Sequence, residues 1–301
     1  MATSPKSQAI CVLGMHRSGT SLITRAVNLL GADVGHANKL LPPHQTNPTG
    51  FWEHSEIVQI HNQILKTLNR SWDTTKPLPH KWWLSPQIQP MKKKLKELVK
   101  QNYAGKPLWV WKDPRTCLLL PLWKQILNEM GTELKCILVV RNPLDVAVSL
   151  KKRDNFSPNK SFKMWTLNTL NSFLWSKNTK RALIHYDHFL NDWEKTLERM
   201  ANQLNLPWPK ESKPLAQGIT RLINPDLRHS SSNLEDLATK GKASSLLIRA
   251  YRLCLITDQH PDRLNSPWIT KNVRHLYVDY AQGKPVVLNH QYHRYRKKAK
   301  L

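Results

Sequence analysis

The alternation of short apolar runs with helical patterns along this chain predicts an α/β fold, a central parallel sheet covered by helices on both faces. Three observations carry that expectation. Strand-like runs recur at residues 9–13, 108–111, 136–140 and 182–186, and helical apolar spacing separates them. The 301 residues are 40% hydrophobic and include 12 Trp, 7 Tyr and 5 Phe, enough to close a core and to exclude wholesale disorder. No repeat or low-complexity linker interrupts the chain, so a single domain over 1–301 is expected, with a core at about 8–208 and a helical C-terminal extension over 209–301.

Each element follows from its residues. Ala9-Ile10-Cys11-Val12-Leu13 reads as the first strand, buried on both sides. Leu22, Ile23, Ala26, Val27 and Leu30 then fall on one helix face that Gly31 ends. Ser55 is expected to cap a helix carrying Ile57, Ile60, Ile64 and Leu68, and the Pro- and Trp-rich stretch over 72–90 reads as a loop. A Lys-rich helix over 90–103 leads to the strand 108–111 and a turn at Lys112-Asp113-Pro114-Arg115. After the strand 136–140, Asn142 can cap and Pro143 can start a helix that runs to about 153. Behind the strand 182–186, residues 187–204 form one amphipathic stretch through Phe189, Trp193, Leu197, Met200 and Leu204.

The charge balance is 46 Lys and Arg against 21 Asp and Glu, a net +25 that favours anionic nucleotides, acidic glycans, nucleic acid or anionic lipid as partners without choosing among them. The first nine residues carry no secretory apolar stretch, and no apolar run approaches the roughly 20 residues of a membrane span. A cytoplasmic protein, soluble or peripheral, is expected. Cys11, Cys117, Cys136 and Cys254 are widely spaced among apolar neighbours and read as reduced packing residues.

Gly14-Met15-His16-Arg17-Ser18-Gly19-Thr20-Ser21 follows the first strand and opens the first helix, the placement of a loop whose backbone N–H groups cradle a phosphate. Thr20 stands where a Walker lysine would, the cation has moved to Arg17, and the third strand run ends in Arg141 instead of a metal-binding Asp. An anion held by arginine and amides without a metal suits a sulfuryl donor better than a nucleoside triphosphate. In this the chain resembles the sulfotransferases that depend on 3′-phosphoadenosine 5′-phosphosulfate (PAPS), in a bacterial, carbohydrate-type form with a P-loop-like three-layer fold. Arg141-Asn142-Pro143 with Ser149 eight residues after the arginine is similar to the family's 3′-phosphate site. Lys112-Asp113-Pro114-Arg115, Tyr186-Asp187 and the segment 223–229 extend the likeness.

The resemblance implies a transfer from PAPS to a hydroxyl of a glycan or another small acceptor, with adenosine 3′,5′-bisphosphate as product and no metal. It implies that the donor binds at Gly14, His16, Arg17, Ser18, Gly19, Thr20, Ser21, Arg141, Ser149 and Arg228. Arg17 and Lys112 would stabilise charge on the leaving oxygen. Glu53, beside Phe51 and Trp52, is the expected base, with His54 and His44 as the fallbacks. Trp52, Trp72, Trp82 and Trp83 are candidate contacts for a glycan acceptor, whereas Trp109, Trp111 and Trp193 fit burial. Lys92, Lys93, Lys94, Lys96, Lys100 and the basic tail suit contact with an acidic polymer or a membrane surface. Two rival readings are a P-loop phosphotransferase and a nonenzymatic basic binder of nucleic acid; no recognised nucleic-acid motif supports the latter, and no specific nucleic acid is expected.

Overall fold

The computed structural model describes residues 7–44, 50–209, 211–223 and 231–288. Among them four strands, β1 (Gln8–Leu13), β2 (Leu108–Lys112), β3 (Glu133–Val140) and β4 (Lys180–His185), form one parallel sheet in the order β2-β1-β3-β4. Alternate residues of β1 face opposite layers. Ala9, Cys11 and Leu13 enter one apolar cluster, and Ile10 and Val12 enter the other. Both faces are covered, which is why the strands read as continuous apolar runs.

The helices divide between those layers. Helix α1 (Thr20–Leu29) lies on the second with α8 (Trp193–Leu204) and α9 (Ser212–Leu222). On the first lie α2 (Ser55–Thr67), α3 (Gln89–Tyr103), α4 (Thr116–Glu129), α5 (Pro143–Asp154) and α6 (Pro158–Trp175). The later α10 (Leu234–Thr239), α11 (Ser245–Gln259) and α12 (Pro267–Ala281) add Leu247, Val273 and Leu276 to the same cluster. Register then sets the site. Val12 pairs with Lys112 on one side and Ile137 on the other, so the C-terminal ends of β1, β2 and β3 open at one edge.

Several local expectations change. Ser55 begins α2 instead of capping it, because Leu40 bridges to His54 and the Leu41 N–H bonds the Glu53 carbonyl, which holds His54 extended as the N-cap. The stretch 72–90 contains two short 3₁₀ turns, Trp82–Leu84 and Pro86–Ile88, and Trp82 is buried in the core rather than offered to a ligand. The segment 187–204 is two helices, α7 (Tyr186–Asn191) and α8, because the Asp192 side chain caps α8 and ends the first. Asn142 caps α5 by accepting from the Leu144 N–H. All four cysteines are buried and unbridged. Among the described residues no helix is long and apolar enough to cross a membrane.

Candidate active site

The loop between β1 and α1 is shaped by two close approaches. A Cβ on Gly14 would meet the Val139 carbonyl at 2.6 Å, and one on Gly19 would meet the Tyr186 ring at 2.2 Å while its φ is +89°. Arg17 takes a left-handed φ of 70° between them, a conformation that costs an arginine energy and that the surrounding fold must enforce. That turn delivers its guanidinium to α5, where Nε donates to Ser149 Oγ at 2.8 Å. Arg141 lies beside it, 4.7 Å over the Tyr186 ring, with Nη1 reaching the Arg17 carbonyl at 3.5 Å. One end of the loop therefore gathers Arg17, Arg141, Ser149 and Tyr186. Tyr186 is marked in the sequence as a strand end and part of the Tyr186-Asp187 likeness, without a role at this site; its place at the sheet edge after β4 is the signal that could have marked it.

The other end is a buried ion pair. Lys112 is the last residue of β2 and 2% exposed, so it is no solvated strand terminus. Its Nζ donates to Glu53 Oε1 at 2.7 Å and to Ser21 Oγ at 3.2 Å, and the Ser21 hydroxyl donates in turn to the Phe51 carbonyl at 3.1 Å. Trp52 has a left-handed φ of 59°, and the Arg25 guanidinium lies 4.8 Å over its ring. Burial pushes the Glu53 carboxyl above its ordinary value, although Lys112 pulls the other way.

Between these ends α1 begins at Gly19 with no side-chain cap and no acidic residue in its first turn. The Ser18 hydroxyl is buried without a partner among the described residues. Thr20 is buried with its methyl toward Gly14. His16 is turned to Trp72 at 4.9 Å between ring centroids, and burial, with Arg115 and Arg153, holds it well below the usual histidine value. Uncapped N–H groups, the Ser18 hydroxyl and cations at both ends are the kinds of group that hold an anion.

The fallback bases are not brought to this site in the same way. His54 is buried against Asn102 of α3, and burial lowers it, while His44 is exposed. Arg228 lies outside the described residues. On the far side of Lys112 stands a knot that motif reading did not find. Asp113 accepts from His61 Nδ1 at 2.7 Å, the Arg115 N–H at 3.0 Å and Arg115 Nη1 at 2.8 Å, and Trp123 Nε1 donates to His61 Nε2 at 2.9 Å. The turn Lys112-Asp113-Pro114-Arg115 supplies two of its members, and His61 on the apolar face of α2 is the third. Among the described residues no group of three or more His, Cys, Asp and Glu side chains is placed to hold a metal ion.

Residues 9–210 match the model of the sulfotransferase family. The chain belongs to that family. Among solved structures the sulfotransferase is similar to the sulfotransferase domain of the Synechococcus PCC 7002 olefin synthase, at 15% identity over 95% of this chain and 98% of that one, with a TM-score of 0.42. It is also similar to the sulfotransferase domain from the curacin biosynthetic pathway, at 16% identity over 76% and 82% of the two chains and a TM-score of 0.38. Sulfotransferase STF1 from Mycobacterium tuberculosis H37Rv aligns at 13% identity over 82% and 76%, with a TM-score of 0.45. No curated protein matches the chain. Family membership makes this protein an enzyme and favours sulfuryl transfer over the phosphotransferase and nucleic-acid readings.

Proposed function

We propose that this sulfotransferase takes its sulfuryl group from PAPS and passes it to a hydroxyl of a glycan acceptor in the cytoplasm. The observation that carries the reading is the loop itself, an uncapped helix start with the buried Ser18 hydroxyl unpartnered among the described residues and with Arg17 and Lys112 at its ends. These groups fit a 5′-phosphosulfate, which needs donors and positive charge on several sides. Arg141 and Ser149 take the 3′-phosphate in this reading. The glycan rests on Phe51 and Trp52 beside Glu53.

The donor supplies a sulfur whose bridging bond to the phosphate oxygen breaks, leaving adenosine 3′,5′-bisphosphate. Glu53 takes the proton of the acceptor hydroxyl as the new oxygen–sulfur bond forms. Burial pushes its carboxyl above the ordinary value, so it is a stronger base than an exposed carboxylate, and the Lys112 ammonium keeps it oriented. Arg17 and Lys112 then stabilise the charge that collects on the departing phosphate oxygen; an arginine stays protonated, so its part is electrostatic.

Thermal unfolding with added ligand tests the donor assignment. Adenosine 3′,5′-bisphosphate should raise the midpoint by mass action, and ATP with Mg²⁺ should not. The pair Arg141→Ala and Ser149→Ala should weaken the bisphosphate effect far more than that of adenosine 5′-phosphosulfate, which lacks the 3′ group. Equal losses would release both residues from that role. Incubation with radiolabelled PAPS and a panel of neutral and acidic glycans then identifies the acceptor, and label transferred to none of them removes the glycan.

A further inference from the structure

A groove of about 700 Å³ lies between the end of α2 and the start of α6. Five cations line it, Lys66, Arg70, Lys76, Lys160 and Lys163, against one carboxylate, Asp73. That carboxylate is already committed to Lys160 and the Ser71 hydroxyl. Lys66, Lys76 and Lys163 have no ion-pair partner among the described residues. Arg70 donates to the carbonyls of Asn69 and Pro77, and its Nε is buried with no partner among the described residues. The remaining lining is hydroxyl and amide, from residues such as Thr75 and Asn159.

The groove is held in shape from a distance. The Tyr280 hydroxyl of α12 bonds the carbonyls of both Thr75 and Lys163, one on each wall. It also shares a partition with the candidate active site. Trp72, between Ser71 and Asp73 of the groove, packs its ring on His16 of the loop and stacks on Phe156 at 5.7 Å. The groove and the loop thus stand on the two sides of one aromatic wall.

We infer that the acceptor is an acidic glycan, whose carboxylate or sulfate groups pair with Lys66, Lys76 and Lys163 while its hydroxyls bond the polar lining. The inference rests on the loop being the donor site. Nucleic acid suits the groove less well, because its aromatics are covered. Trp72 is occupied by Phe156, His16 and the Arg153 guanidinium, and Lys160 lies 3.6 Å over the Phe156 ring, so bases find no stacking platform. A membrane surface suits it less well too: the exposed large apolar residues, Leu84, Val148, Trp268, Val278 and Leu288, all lie outside the lining.

Binding of a heparin oligosaccharide to the full chain tests this, beside a neutral maltooligosaccharide of equal length, single-stranded DNA and phosphatidylglycerol vesicles. The variant Lys66→Ala/Lys163→Ala should weaken heparin binding about tenfold or more and flatten its salt dependence. Lys195→Ala/Lys213→Ala, on the exposed faces of α8 and α9 across the sheet, should leave it at the wild-type value. Equal losses in the two variants mean diffuse surface charge and overturn the proposal, as does equal binding of the neutral sugar. Parallel losses for DNA or vesicles in the groove variant overturn it as well, since the groove would then read charge alone. The thermal shift with adenosine 3′,5′-bisphosphate should survive in both variants, which shows that they are folded. Its absence from the wild type would instead sink the donor reading, whatever the groove binds.

Discussion

Glu53 and Asp113 flank Lys112 and are buried to a similar degree, at 6% and 0% exposure, yet their acidities move in opposite directions. Burial alone raises both. Glu53 has one charged partner in hydrogen-bond contact, the Lys112 ammonium, and burial wins. Asp113 collects a guanidinium, a histidine ring and a backbone N–H, and those donors outweigh burial and hold it far below the carboxylate range. The difference teaches that burial does not by itself make a base. A carboxylate with a single cation can still take up a proton, whereas one held by three donors is an anchor.

The largest effect should come from removing the carboxylate assigned to proton transfer. Glu53→Gln should lower turnover of PAPS with its acceptor by about 10²- to 10⁴-fold while the bisphosphate thermal shift stays. The pH dependence has a definite sign. Glu53 must be ionised to accept a proton, so activity is present above its folded value and lost as pH falls through it. Because that value is raised, the acid limb of the rate profile should lie above 4.5. Asp113→Asn should retain the limb but move it to lower pH, since the Asp113 charge is one of the causes that raise Glu53. Wild-type turnover in Glu53→Gln assigns the proton elsewhere.

Much of this contrast was hidden in the sequence for a physical reason. The strands were legible because burial on both faces makes them continuous apolar runs, and the loop because two glycines and a helix start sit in a fixed local order. Arg17, Glu53, Lys112, Arg141 and Ser149 could be singled out through the family resemblance, but which would meet was not readable: Lys112 and Glu53 are 59 positions apart, and Arg17 and Ser149 are 132. Asp113 lies in the Lys112–Arg115 turn, but nothing in the turn points to His61, 52 positions away. Helix α6 escaped notice altogether. Its Thr166, Asn168, Asn171 and Ser172 are buried, and each bonds the carbonyl four residues back, so polar side chains occupy core positions and erase the apolar period.

Breaking the anchor should cost stability more than chemistry. Asp113→Ala leaves Arg115 without its carboxylate and His61 without an acceptor, a loss of about 3–5 kcal/mol that lowers the melting midpoint by about 6–20 °C. The sign follows from the direction of Asp113, whose donors hold it below the ordinary carboxylate value. Its contribution is fully present above the ordinary carboxylate value and is lost as pH falls toward the folded one. The wild-type midpoint should therefore drop steeply on acidification below about pH 4, and the variant's less so. Equal acid sensitivity in the two proteins would remove Asp113 as the anchor.

The smallest effect reaches the anchor through one more residue. An indole N–H can only donate, so the bond from Trp123 to His61 Nε2 places the ring proton on Nδ1, where it faces Asp113. Trp123→Phe keeps most of the packing and leaves Nε2 buried without a donor, at a cost of about 1–3 kcal/mol and a fall of a few degrees in the midpoint. Asp113 keeps its charge in this variant, so the acid limb set by Glu53 should not move. A lower midpoint with an unmoved limb keeps the two carboxylates as separate devices on either side of Lys112. If the limb moves as far as in Asp113→Asn, the indole, the imidazole and both carboxylates titrate as one network, and Asp113 then belongs to the chemistry as much as to the fold.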